Sequence, residues 1–523
     1  MDTSSTLMEL PFQLLVFSFK QLLKQNDGIE NYERLLNKKN WKLINSLFDA
    51  RDKKSLCLMN TRLWLKLTIN MLQDVFPWTT SIYNYQMNVI RQCLYTSRVH
   101  DLLDISLEEN SLGFISGALL RHLIDQTTDP EEIAFLLGQR RQIRHTNESL
   151  RTYIKRWVDG GRNLPPIKYL DVRGVTSMAS LFYNGILAPY QNILDFTYWD
   201  VSNVTDMSNM FHNVRCEHHD VPIIFRGMEN WNTCRVTDMF RMFKDQINFN
   251  LNIGEWDTCN VTDMSFMFNG ATNFDQNIGG WDTSRVRFFN NMFLKATTFN
   301  QPLNSWDTSM AEDMSYMFVD ATIFNQPLNR WNTSRVGRMD WMFKNARAFN
   351  EPLDKWDTSR VFDMNNMFRD AISFNKDLFV DTGMVTNMNG MFRNARSFNK
   401  PLDHWNTSRV RDMSFMFMNA TSFDKPLNNW NTSMVQKMIS MFENATSFNQ
   451  PLDRWVTIGV INMHSMFLNA ILFNQYLPWN TSRVRNMFLM FQGATSFNQD
   501  LQWDISSAWE RRFMFEGSNG RLI

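Results

Sequence analysis

Apolar residues recur along this chain on a fixed beat. A Met-Phe pair begins at Met210, Met242, Met267, Met292, Met317, Met342, Met367, Met391, Met416, Met441, Met466, Met490 and Met514, stepping by 24 or 25 residues after one first step of 32. One complete unit, residues 261–285, reads VTDMSFMFNGATNFDQNIGGWDTSR, with apolar positions at Met264, Met267, Phe268, Ala271, Phe274, Ile278 and Trp281. A repeat of this length marks an array whose units bury their apolar faces only against each other. The Met, Met-Phe and Ala positions, three or four residues apart, predict a short helical turn with one face inward. Pro302, Pro327 and Pro352 exclude helix from the next stretch, which reads as extended. The W-D/N-T-S tetrapeptides supply Asx and Ser/Thr turns, placed to cap the following helical turn. Each unit is therefore expected to run extended segment, turn, short helix, turn. Stacking brings like residues into columns of Trp, Phe, Ala and Asn. The Asn column (Asn300, Asn325, Asn350 and onward) reads as amides that satisfy turn backbone groups.

The first 145 residues carry no repeat. Helical periodicity over 10–23, 32–48, 56–72, 82–95, 111–124 and 130–137 predicts a small all-α domain, followed by an amphipathic entry helix within 146–166 and the array over 167–523. The expected fold class is thus α+β: a leucine-rich-repeat-like solenoid of about 13–14 units of ~25 residues behind a helical domain.

Composition narrows the function. The formal net charge is zero, so the chain lacks the basic excess that drives non-specific nucleic-acid binding. Twenty-four of the 35 methionines fall in the repeat columns, which makes them core rather than an adaptable binding surface. The N-terminus shows no basic region and no small-residue cleavage site, and no apolar run is long enough to span a bilayer. An intracellular location is expected, with a surface- or particle-associated one as the alternative. Five cysteines lack metal-type spacing, and Cys234 and Cys259 share one repeat position on adjacent units. The insertion holds Cys216, Glu217, His218, His219 and Asp220. Adjacent histidines in a short loop with no second ligand pair do not make a metal site, and no metal or cofactor is assigned. No nucleophile–base pairing stands out, so no enzyme is expected.

The units resemble the BspA-type leucine-rich repeats of the Mycoplasma lipoprotein-associated class, whose unit runs W-D-T-S-x-V-T-D-M-S-x-M-F-x-x-A-x-x-F-N-Q-x-L. Residues 281–299, 306–324 and 405–423 carry that string almost entire. The resemblance implies a solenoid used for protein contacts, often as an exported adhesin. A second resemblance lies in the helical domain, where residues 10–67 are similar to an F-box. Leu10 and Pro11 would open the motif, and Asp52, Leu56, Met59, Arg62 and Trp64 would complete it after an insertion of about thirty residues. It implies a Skp-type adaptor as partner.

The candidate contact surface is a stripe of arginines just before the first Val of six units: Arg235, Arg285, Arg335, Arg360, Arg409 and Arg483. Aligned by stacking, they would meet an acidic protein through charge-assisted contacts. The plainer alternative pairs them with turn aspartates such as Asp282, Asp357 and Asp412.

Overall fold

The computed structural model describes residues 144–523 apart from 161–163, 165, 189–190, 219–220 and 379. The expected helical domain and its F-box-like residues lie outside them. The described residues belong to one compact unit, Arg140–Ile523.

The unit opens with helix α1, Asn147–Val158. Thr146 and Ser149 form a reciprocal capping box, Lys155 and Arg156 face the negative C-terminal end, and Leu150, Ile154 and Trp157 are buried. Gly160, at φ +84°, ends it, so the entry helix is shorter than the 146–166 window. From there parallel single-residue bridges link fourteen rungs, from Ser177 through Asp206, Asp238 and Asp263 to Asn486 and Glu510. At ~4.8 Å per rung the stack is roughly 60 Å long. Short strands appear only at irregular places. β1 (Ile186–Leu187) pairs in parallel with β3 (Arg215–Cys216), and β2 (Ile193–Asp195) with β4 (Ile224–Arg226), around the insertion. β5 (Asp500–Leu501) pairs with β6 (Arg521–Leu522) in the last two rungs.

The expected helix in each unit is corrected by the structure. The Met-Phe stretch is a series of three-residue turns. In the rung of Met264, the amides of Met267, Asn269 and Ala271 close turns onto Met264, Phe266 and Phe268. The amides of Met264, Phe266, Phe268 and Gly270 instead donate to Phe288, Asn290, Met292 and Leu294 of the next rung. An α-helix would keep all these donors inside the segment. Here alternate donors leave it, which requires left-handed backbone at two positions per rung, such as Phe266 (φ +59°) and Gly270 (φ +74°). Serial turns repeat the same spacing of three that signalled helix.

Three aromatic columns run through the core beside buried columns of Val, Met, Ala and Leu. Phe318 stacks on Phe343 at 5.6 Å, Phe324 on Phe349 at 6.1 Å and Trp331 on Trp356 at 6.3 Å, with ring planes within 7°. Polar groups close the backbone between rungs. The Trp331 indole donates to the Leu303 carbonyl at 2.8 Å, and the Thr333 hydroxyl to the Asp357 carbonyl at 2.8 Å. The Asn350 amide donates to the Asn325 side-chain oxygen, the task anticipated for the Asn column. The W-D/N-T-S aspartates do form Asx turns, as when Ser359 N–H donates to Asp357. Where the insertion breaks register, the buried Trp231 indole N–H lacks an acceptor among the described residues. Arg511, in place of a buried Met, is exposed on the last rung.

Thr333 is 1% exposed, so Thr333→Val keeps its shape but leaves the Asp357 carbonyl unmet. It should cost about 1–3 kcal/mol and speed amide exchange in the flanking rungs, whereas Thr333→Ser should stay close to wild type. At the bridge column, burial pushes the Asp238 carboxyl up, helped by the neighbouring carboxylates of Asp263 and Asp206. A raised folded pKa means the native state favours the proton, so this residue's contribution falls as pH rises from the ordinary Asp range through the raised value. Asn387, Asn462 and Asn486 hold the same place and accept the same amide two residues on. Asp238→Asn should therefore raise thermal stability at neutral pH by up to about 1 kcal/mol. The gain should shrink on acidification in melting curves taken across pH.

Candidate interaction face

The stripe arginines occupy one column, and all six are exposed. They do not form an unbroken cationic strip. Asn203, Asn260, Met310, Met384 and Met434 hold the same position on intervening rungs. Arg235 donates to Asn203 and Arg285 to Asn260, at 3.0 and 2.8 Å, while Arg335 and Arg409 lie on the sulfurs of Met310 and Met384. Only Arg335 and Arg360 are cations on consecutive rungs. The turn aspartates serve mainly their own turns: Asp357 is held below the usual carboxylate range first by Ser359, with Arg360 a lesser influence.

A different face gathers more chemistry. It is built by the residue before each Met-Phe pair and the residue after it. The first sits in left-handed backbone on every rung, including Phe266, Tyr316, Trp341, Phe415, Leu489 and Phe513 at φ between 56° and 61°. Bulky side chains rarely adopt this conformation, at a cost of roughly 1–2 kcal/mol each. The rung bonds on either side impose it. Tyr316 N–H donates to Asp340 O and Trp341 N–H to Asn365 O, at 3.0 and 2.9 Å. Phe266, Tyr316, Trp341 and Phe415 are thereby held half-buried, and Phe513 on the last rung is 53% exposed. The tight turn on either side leaves their backbone no freedom to turn away.

Charged groups interleave with these rings. Tyr316 and Trp341 stack at 5.7 Å. Lys344 and Arg369 lie over Trp341 at 5.0 and 5.5 Å, Arg393 over Phe415 at 5.4 Å, and Arg241 over Phe240 and Phe266 at 4.5 and 4.8 Å. Arg338 grips the buried Asp340 through two nitrogens at 3.0 Å. Burial still pushes the Asp340 carboxyl up, and it raises the Tyr316 phenol too. These aromatic positions escaped the sequence reading because they fall in the variable slot of M-S-x-M-F. The signal was there, since a slot that varies between otherwise matching units faces outward. Its left-handed backbone was not visible.

Leu10, Pro11, Asp52, Leu56, Met59, Arg62 and Trp64 lie outside the described residues, as do His219 and Asp220 of the insertion. Cys216 is buried, which raises its thiol pKa. Among the described residues no cluster of three His, Cys, Asp or Glu side chains is placed to hold a metal ion, and no helix is long and apolar enough to cross a membrane.

No curated protein matches the chain. Among solved structures, an LRR protein of Leptospira interrogans aligns at 6% identity over 72% of this chain and 95% of that one, with a TM-score of 0.21. Five overlapping segments, residues 156–222, 215–328, 303–380, 379–478 and 451–520, match the family described as Mycoplasma protein of unknown function, DUF285. These segments span most of the chain, which belongs to that family.

Proposed function

We propose that the solenoid is a non-enzymatic protein-recognition scaffold, and that it reads its partner on the face carrying Phe266, Tyr316, Trp341 and Phe415. The observation that carries this is the left-handed backbone under those four side chains. Asn or Gly fits such a position at less cost, as Asn291, Asn366 and Gly390 do on other rungs. Half-exposed Trp, Tyr and Phe beside Arg also match the residue types that dominate protein interfaces. The core itself is filled by its aromatic columns, and the recurrent Thr, Trp and Asn groups are engaged between rungs.

Affinity capture with the full chain tests the choice of face. Phe266→Ser/Tyr316→Ser/Trp341→Ser/Phe415→Ser should lose the proteins that wild type retains. Arg285→Ala/Arg335→Ala/Arg360→Ala/Arg409→Ala should keep them. Retention by the aromatic variant, with loss by the arginine variant, would return recognition to the Arg stripe.

Where the protein acts is a finer matter, supported by the two sequence resemblances alone. The first version is an intracellular adaptor for ubiquitin-ligase machinery through the F-box-like residues 10–67. It predicts that a purified Skp-type adaptor binds the full chain, and that Leu10→Ala/Pro11→Ala/Trp64→Ala abolishes binding. The alternative is a surface- or particle-associated adhesin, as BspA-type relatives often are. It predicts cleavage by protease added to intact cells or particles, and complete protection would remove it.

A further inference from the structure

Most units place Ser at the fourth position of the W-D/N-T-S turn, where its amide donates to the Asx side chain, as Ser284 does to Asp282. Two consecutive units place Cys there instead. The amides of Cys234 and Cys259 make the same bond, to Asn232 at 3.2 Å and to Asp257 at 3.1 Å. Ser202 and Ser284 make it on the units to either side, so the turn itself does not call for sulfur. Among the described residues no other unit has a thiol at this position.

The stack sets the two cysteines side by side. The Thr233 hydroxyl donates to the Asp257 carbonyl at 2.9 Å, and the Asn260 side chain to the Cys234 carbonyl at 2.7 Å. Beyond them, Thr262 N–H donates to the Thr237 carbonyl at 2.9 Å. These bonds hold the adjacent rungs in register before and after the pair. The ordinary rung spacing of about 4.8 Å and the 6.0 Å between the rings of Trp231 and Trp256 bracket the distance between the two backbones. A disulfide joins Cα atoms roughly 4.4–6.8 Å apart. The two turns are equivalent, so both side chains leave the stack on the same side, and both are partly exposed. Cys216 is different, because it is buried and burial raises its thiol pKa.

We infer that Cys234 and Cys259 are a paired oxidation site, closing to a disulfide with hydrogen peroxide as oxidant. One thiolate attacks the peroxide, so that an S–O bond forms, the O–O bond breaks and the departing oxygen leaves as water. The neighbouring thiol then attacks the sulfenic sulfur. The S–S bond forms as the S–O bond breaks, and a second water leaves. Two thiols are oxidised and one peroxide is reduced to two waters. Pairing outruns further oxidation because the second thiol is one rung away, whereas a second peroxide must arrive from solvent. The new bond ties two rungs close to Trp231, whose indole N–H lacks an acceptor among the described residues. It therefore braces the stack where the insertion disturbs the register, and it restrains the unfolded chain as any loop-closing disulfide does.

The test treats the reduced full chain with hydrogen peroxide, traps remaining thiols with N-ethylmaleimide and maps the peptides by mass spectrometry. The expected product links the peptides of Cys234 and Cys259, two hydrogens lighter than their sum, with Cys216 still alkylated. Dithiothreitol should reverse it. Oxidation should raise the melting temperature of wild type by several degrees and leave Cys234→Ser/Cys259→Ser unmoved. Ser holds this turn on the flanking units, so that variant should fold as wild type does. Cys234→Ser alone should leave a sulfenic acid on Cys259 that dimedone traps. Oxidation in urea should scatter links among the five cysteines, since the fold no longer selects the pair. The same scatter from the native chain overturns the inference. So do separate sulfinic acids on Cys234 and Cys259, or two alkylated thiols there while the exposed Met384 and Met434 are oxidised.

Discussion

Every rung of this array must hand half of its turn amides to the next one. That single requirement organises the structure. An amide can reach a carbonyl one rung away only if it points along the stack, whereas an amide closing a turn points within the rung. Alternating the two along consecutive residues forces the backbone through left-handed geometry twice per rung, as at Phe266 and Gly270. Neither helix nor continuous sheet satisfies that alternation. The aromatic columns are its consequence, because rungs locked at a fixed spacing leave Phe318 no place but over Phe343. Side chains then complete what the backbone leaves open, with Trp331, Thr333 and Asn325 each meeting a backbone group on a neighbouring rung. A buried polar group without such a partner is costly, and the orphaned Trp231 indole marks where the insertion disturbs the register.

A core built this way is continuous, so the proposed recognition has to sit on the outside. Each rung contacts mainly its neighbours, as in other solenoids. A change at one exposed position therefore leaves distant rungs undisturbed. The two outer columns differ in kind. In the Arg column, long flexible side chains alternate with Asn and Met and rest on the rung before them. In the column before Met-Phe, the rings stand on constrained backbone and take Arg and Lys as stacking partners. A preorganised ring loses little freedom on binding, while an exposed arginine loses much.

Much of this was legible in the repeat. The period set the number of rungs, the shared positions of Phe274, Ile278 and Trp281 defined the core, and Asn and Thr declared the turns. The helix was misread for a definite reason. Met264, Met267 and Ala271 are spaced alike whether a segment winds as a helix or advances by three-residue turns, and apolar spacing does not record where the amides point. The Asn and Gly residues before the ladder Ala, such as Asn345 and Gly493, carried the missing hint, since both tolerate left-handed backbone. The Arg stripe was a matter of counting only the rungs that fit. Met310 and Asn260 stood in the same column and already showed that the charge was interrupted.

The same frame explains how a monotonous chain carries information. Columns that face inward or bond between rungs have a role in every unit and vary little in kind. The residue before Met-Phe has no inward task, and along the stack it runs through Phe266, Asn291, Tyr316, Trp341, Asn366, Gly390 and Phe415. Each substituent is presented at the same angle and at a known height. A partner laid along this face would meet half-exposed rings at some heights and a small side chain at others, with Asn366 and Gly390 buried between Trp341 and Phe415. Because the backbone under all seven is the same, the order of side chains along the axis is what distinguishes one stretch of the face from another. Specificity on the proposed recognition face would be set by sequence order within one column, with no rearrangement of the fold that displays it.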